Sequence, residues 1–319
     1  MRKLLRYLVL GVVVVGLMVI TLTPAFAAKK QYRFVFLSPA IGHEFIQPLI
    51  RGMKDAAEAL GSTADAVGPV EWDNDRTVAE GMAAIDAGID GMIAQVGDPT
   101  TFSGISKRLK ELGIPFVHTN ITDETGQTLR DCYVGSSGVT QGEYMGKEMV
   151  KYLKSGDKVA FFFHMPHVQL KERLQGAQSV IGKAGIEWEE IVCGSELTKA
   201  ISTVEAYLLG HPDIAGVYGV DGISTPSCAL ALKKRPDLQG KVRSGGFDLI
   251  PSVVEGIRDG YVDFTMDQMP YGYGFYPVVI MYLYLEYGIT PPGQVATAVG
   301  AVDKSNVDAV LALVEAGYR

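Results

Sequence analysis

Short apolar runs alternate with amphipathic helical stretches from residue 34 almost to the end of this chain. Phe34-Val35-Phe36-Leu37 reads as a buried strand by its length and aromatic content. Phe45 to Leu60 then carries apolar residues at helical spacing and stops at Gly61, a helix-ending residue. The unit recurs. Ile89 to Val96, Phe116-Val117, Val159 to Phe163, Ile214 to Val220 and Val242 to Phe247 read as strands. Helices are expected near 75–87, 100–112, 138–154, 168–184, 199–210, 223–234, 250–258 and 273–287. Strands that are apolar throughout need cover on both faces, so the alternation predicts parallel sheets between helical layers. Right-handed crossovers make such sheets doubly wound. Some ten to twelve strands exceed one comfortable sheet, so the expected fold is α/β with two similar doubly wound lobes.

In open α/β sheets, ligands bind at the carboxyl ends of the strands. Two lobes facing each other at those edges would enclose a cleft. The polar residues at strand ends therefore bear on function: Ser38, Gln95, Asp98, Asn120, His164, Asp221, Asp248 and Gln268. Composition narrows the partners. Apolar residues make up 47% of the 319 and charged residues 20%, a globular balance. With 29 Lys+Arg against 36 Asp+Glu the net charge is −7, which argues against a nucleic-acid partner because counterion release needs a basic face.

The first 27 residues follow different rules. Arg2, Lys3 and Arg6 precede an apolar run from Tyr7 to Leu22, then Pro24 and the triplet Ala25-Phe26-Ala27. This is the pattern of a cleavable secretory signal peptide, residues 1–27. A retained anchor is the alternative, but about 16 apolar residues fall short of the ~20 that span a bilayer. No Cys stands at the cut, so a lipobox anchor is excluded and a free, non-lipidated periplasmic protein is expected. Cleavage would remove three cations and no anion, taking −7 to −10. Cys132, Cys193 and Cys228 are odd in number, allow at most one disulfide, and are expected as buried thiols.

Motifs for other chemistries are missing. Gly142 to Lys147 (GEYMGK) has the wrong spacing for a phosphate loop, and no nucleotide-binding G-x-G-x-x-G or nucleophile elbow follows a strand. His164 and His167 lack a carboxylate or Cys at ligand spacing, so no metal is expected. Ser136-Ser137 reads as a helix N-terminus. Tyr271, Tyr273, Tyr276, Tyr282 and Tyr284 fit a helix between lobe and solvent better than a binding platform.

Gly246-Phe247-Asp248 after a strand, followed by Asp267-Gln268-Met269-Pro270-Tyr271, resembles the periplasmic sugar-binding proteins of ABC importers, the ribose-binding or type I solute-binding family. The block from Val242 to Val278 carries the resemblance most strongly, and Gly42-His43-Glu44-Phe45-Ile46 extends it to the opening loop. The resemblance implies a three-crossing hinge near Tyr133, Gln268 and Val295. The N-terminal lobe would be 28–133 plus 269–295 and the C-terminal lobe 134–268 plus 296–319. It also implies a monomeric receptor without catalytic residue or cofactor, which closes on a monosaccharide or polyol and docks to a membrane permease. The same lobes would serve a chemotaxis transducer or sensor kinase, and a periplasmic hydrolase using Asp221 or Asp248 with His164 is a further alternative. A transcription repressor shares the fold, but the exported leader stands where its DNA-binding helices would be.

By the same resemblance the ligand residues are His43, Phe45, Gln95, Asp98, Asn120, His164, Arg173, Asp221, Asp248 and Gln268. Ile46 stands where the family has a second aromatic ring. The chemistry suits hydroxyl groups, which both donate and accept. Asp221 and Asp248 accept, Arg173 donates in a rigid fork, the three amides do either, and Phe45 offers an apolar face. Plainer roles stand beside these: helix caps for Asp248 and Asp221, a turn opening for Asp98-Pro99, a solvated helix face for Arg173, and second-layer support for His43 and His164.

Overall fold

A computed structural model describes residues 30–123, 125–297 and 300–319. The leader expected over residues 1–27 lies outside the described residues. Twelve strands among the described residues form two six-stranded sheets. The first sheet contains β1 (Arg33–Leu37), β2 (Thr63–Val67), β3 (Gly91–Ala94), β4 (Phe116–Thr119), β5 (Cys132–Val134) and β11 (Gln294–Val295), in the order β11-β5-β4-β3-β1-β2. The second contains β6 (Lys158–Phe163), β7 (Glu187–Val192), β8 (Gly216–Gly219), β9 (Arg243–Phe247), β10 (Phe264–Asp267) and β12 (Gly300–Asp303), in the order β12-β10-β9-β8-β6-β7. All pairings are parallel except that of β10 with β12. The chain passes from the first sheet to the second after β5, returns after β10, and passes over again between β11 and β12.

Among the described residues, nine α-helices lie between strands and a tenth follows β12: α1 (Ile46–Ala59), α2 (Asn74–Asp86), α3 (Pro99–Leu112), α4 (Gly138–Met149), α5 (Val168–Ile181), α6 (Leu197–Gly210), α7 (Ser224–Lys233), α8 (Pro251–Asp259), α9 (Pro270–Tyr287) and α10 (Val307–Glu315). Strand β1 shows why both faces need cover. Phe34 and Phe36 pack with Leu49 and Met53 of α1 and Met281 of α9, whereas Val35 and Leu37 pack with Ile85 of α2 and Ile105 of α3. Each such buried side chain contributes roughly 1.5–3 kcal/mol. Local signals set the helix bounds: α3 starts on the Asp98 cap with Pro99 behind it and stops at Gly113, φ +69°. Ser137 caps α4 by accepting from the Thr140 N–H, as its position in the sequence suggested. In the tyrosine-rich α9, Tyr273 and Tyr282 are core residues, while Tyr276 and Tyr284 are exposed.

Candidate functional site

Among the described residues, three non-glycine residues have positive φ: Asn120 (+58°), Asp248 (+75°) and Met269 (+57°). They follow the carboxyl ends of β4, β9 and β10, where left-handed backbone costs energy and marks positions held for a purpose. Asn and Asp tolerate this region because their short polar side chains bond locally. The Asp248 side chain thus leaves its own strand axis and turns toward Gln268.

A continuous hydrogen-bonded chain runs between the two sheets. Ser38 Oγ donates to Gln95 Oε1 (2.7 Å), and Gln95 Nε2 donates to Asn120 Oδ1 (3.0 Å). Asn120 Nδ2 donates to Gln268 Oε1 (3.4 Å), which also accepts from Arg173 Nη2 (2.5 Å). Gln268 Nε2 then donates to Asp248 Oδ1 (2.5 Å). Arg173 is not on a solvated face. It is 3% exposed, donates from Nε to Gln141 Oε1 (2.6 Å) and from Nη1 to the Val220 carbonyl (2.8 Å), and lies 4.3 Å over the Phe247 ring. All five residues of the Ser38-to-Asp248 chain are buried.

The two carboxylates of the second sheet differ in their surroundings. Asp221 lies in the turn that leads into α7: Oδ1 accepts from the N–H groups of Ile223 (2.8 Å) and Ser224 (2.9 Å), and Oδ2 from the N–H of His164 (2.9 Å). Burial alone would raise its pKa. His164, with Nδ1 3.2 Å away, and the helix-start amides outweigh that and hold it below the ordinary range. Asp248 does not cap α8, which starts on Ile250 without a side-chain cap. Burial pushes its pKa up to about 6, against the pull of Arg173 and Gln268. Its Oδ2 and the His43 ring both border Gly222: a Cβ placed there would stand 2.8 Å from His43 Cε1 and 3.0 Å from Asp248 Oδ2. Burial lowers the pKa of His43, whose Nδ1 accepts from the Phe45 N–H.

Of the ten predicted residues, Gln95, Asn120, Arg173, Asp248 and Gln268 form the network, with His43 against Gly222 and the paired Asp221 and His164 beside it. Phe45 lines a cavity of about 230 Å³ that reaches Asp248 and Gln268. Asp98 stands apart, since its carboxylate accepts from the Thr100 N–H and the Thr101 hydroxyl. Ile46 is buried in the core. Gln141 and Gln169, which donates to the Asn120 carbonyl (3.0 Å), were not expected; they come from the first turns of α4 and α5, where no strand-end rule points to them. Trp72 was also missed, although its ring stacks on His167 with centroids 6.3 Å apart. No group of three or more His, Cys, Asp or Glu among the described residues is arranged for a metal ion.

The chain as a whole is similar to known proteins. The chain is 30% identical over 267 residues to the xylose/arabinose-binding protein XylF of Sulfolobus acidocaldarius, covering 80% of this chain and 66% of that relative, just under two thirds of its length. It is 22% identical over 244 residues to the ribose import binding protein RbsB of Bacillus subtilis, covering 76% and 78%. Among solved structures, an ABC transporter solute-binding protein of Burkholderia graminis in complex with D-arabinose superposes with TM-score 0.81 at 25% identity, over 88% of this chain and 98% of that one. Another from Agrobacterium vitis, bound to α-D-tagatopyranose, gives 0.79 at 26% identity, over 87% and 96%. The family model for the periplasmic binding protein domain matches residues 34–289, and this chain therefore belongs to the periplasmic binding protein family.

Proposed function

We propose that this chain is a solute-binding protein that captures a monosaccharide or related polyol between two closing lobes and delivers it to an ABC transporter permease. The hydrogen-bonded chain from Ser38 to Asp248 carries this reading, because it joins side chains from both sheets at their carboxyl ends. A neutral polyhydroxyl ligand entering there finds mixed donors and acceptors, which is what hydroxyl groups need. Its relatives' names, xylose/arabinose-binding and ribose import binding, point to the same ligand class. The lobes are 28–133 plus 269–295 and 134–268 plus 296–319, and they close about the three crossings as hinged binding proteins do. The protein works as a non-enzymatic monomer in the periplasm after loss of residues 1–27. Binding one lobe first and completing the cage with the other shifts the open–closed population by the ligand's preference for the closed state.

A thermal-shift screen over aldopentoses, aldohexoses, ketohexoses and sugar alcohols tests this. A ligand at a hundred times its Kd adds about 2.7 kcal/mol, an easily read rise in Tm. Turnover of the best hit, or no shift from any member, would overturn the proposal.

A further inference from the structure

The order of strands sets a direction along the cleft. The crossings follow β5, β10 and β11, at one end of each sheet. Moving away from them through the first sheet, one meets β4 with Asn120, β3 with Gln95, β1 with Ser38, and last the edge strand β2. The same walk in the second sheet meets Gln268 after β10, Asp248 after β9, Asp221 after β8 and His164 after β6. The connection after β2 therefore lies at the mouth, opposite the hinge. That connection carries Trp72, and the connection after β6 carries His167.

The two rings meet nearly parallel, at 18°, with centroids 6.3 Å apart. Each side has a seat for its ring. A Cβ on Gly97 would stand 2.8 Å from Trp72 Cζ2 and 2.7 Å from Asn74 Oδ1, so only glycine leaves the indole this place. Asn74 Oδ1 is buried without a hydrogen-bond partner among the described residues, so no polar bond competes for that space. His167 precedes α5 but makes no side-chain cap bond to it, which leaves the imidazole free to face Trp72. Behind it His164 lies 5.6 Å away and is tied to Asp221. Trp72 is 41% exposed, so part of the indole faces solvent while the rest meets His167 and Gly97.

We infer that Trp72 and His167 form a gate across the mouth of the cleft that sets ligand length, accepting a single sugar ring and rejecting one that carries a second ring toward the mouth. This rests on the sugar-binding reading. A glycosidic extension in that direction must part the two rings and forfeit their contact. A single ring held by Asn120, Asp248 and Gln268 leaves the gate shut.

Isothermal titration of the best monosaccharide and of its 1,4-linked disaccharide, in the native protein and in Trp72→Ala, tests the selectivity. The expected result is strong preference for the monosaccharide in the native protein and a fall in that preference of up to about tenfold in Trp72→Ala, the worth of one aromatic pair. Trp72→Phe should keep most of the preference. Equal binding of both sugars by the native protein, or an unchanged ratio in Trp72→Ala, would overturn the gate. A second measurement needs no sugar. The chain has two tryptophans, so in Trp188→Phe the emission reports Trp72 alone. Adding His167→Ala should raise acrylamide quenching of that emission at least twofold, whereas unchanged quenching overturns the stack. Raised quenching with no sugar bound by any variant would sink the sugar reading and leave the ring pair standing.

Discussion

Replacing Asp248 with Asn isolates the charge at the centre of the site. Asn is the substitution of choice because it tolerates φ +75° and keeps an oxygen for Gln268 Nε2. The Asp248 carboxyl titrates at about 6 in the folded protein against an ordinary 3.8, because burial disfavours its charge more than Arg173 and Gln268 favour it. Below about pH 3 the group is neutral whether the chain is folded or not, and the charge costs nothing. As pH rises toward 6 the unfolded chain loses this proton first, so stability falls across that window. Above it the cost is complete. At ~1.36 kcal/mol per pH unit it reaches about 3 kcal/mol. Asp248→Asn should therefore match the native protein near pH 3 and exceed it by up to about 3 kcal/mol at pH 8, while binding sugar far more weakly. Urea denaturation followed by circular dichroism at several pH values reads the difference. A gap independent of pH, or a less stable variant at pH 8, would refute the reasoning and make the Asp248 charge a stabilising partner of Arg173.

Three other substitutions or treatments have defined outcomes. Gly222→Ala puts a methyl group against His43 and Asp248 Oδ2, so we expect at least tenfold weaker sugar binding by calorimetry, with stability changed by less than about 1 kcal/mol if His43 can move aside. Gly142→Ala places a Cβ 2.0 Å from the Arg173 carbonyl in the α4–α5 contact; overpacking there should cost about 1–3 kcal/mol or more in urea melts. Cys132, Cys193 and Cys228 are free and buried, and burial pushes the first two thiols up to about 11 and about 12 and the third well above its ordinary value. A thiol reagent at pH 8 should label none in the folded protein and all three after denaturation.

The buried strands β1, β3, β4, β6, β8 and β9 were legible in the sequence as apolar runs, whereas the equally buried β5 and β10 were not, because Cys-Tyr-Val and Phe-Thr-Met-Asp are too short or too mixed to stand out as such a run. Nor were the edge strands. In β7, Glu-Trp-Glu-Glu-Ile-Val meets solvent along most of its length, and in β2 only Ala64 is fully buried, so neither carries the run that marks a strand. The same divide separates the site residues. Gln95, Asn120 and Asp248 follow apolar runs, so the rule that ligands meet strand ends finds them. Arg173 lies on a helix beside Lys171 and Glu172, where local sequence suggests solvent; its burial comes from Val220 and Gln268, which are distant in the chain. Trp72 and His167 become neighbours only when the two sheets face each other, and no local pattern encodes that pairing.

The two carboxylates of the second sheet divide the work, and the division predicts how binding couples to protons. Asp221 has both oxygens engaged by backbone amides and His164, so a ligand hydroxyl would add little to its stabilisation. Asp248 has one oxygen engaged by Gln268 and the other beside Gly222. A sugar hydroxyl donating to that second oxygen favours the ionised form, so the bound pKa must fall below about 6. Binding at pH 6 should then expel about half a proton per sugar, and binding at pH 8 almost none, because Asp248 is already ionised there. Calorimetry in buffers of different ionisation enthalpy counts those protons directly. Proton uptake at pH 6 would mean that the ligand accepts from a neutral Asp248 and that the charge assignment of the cleft is reversed.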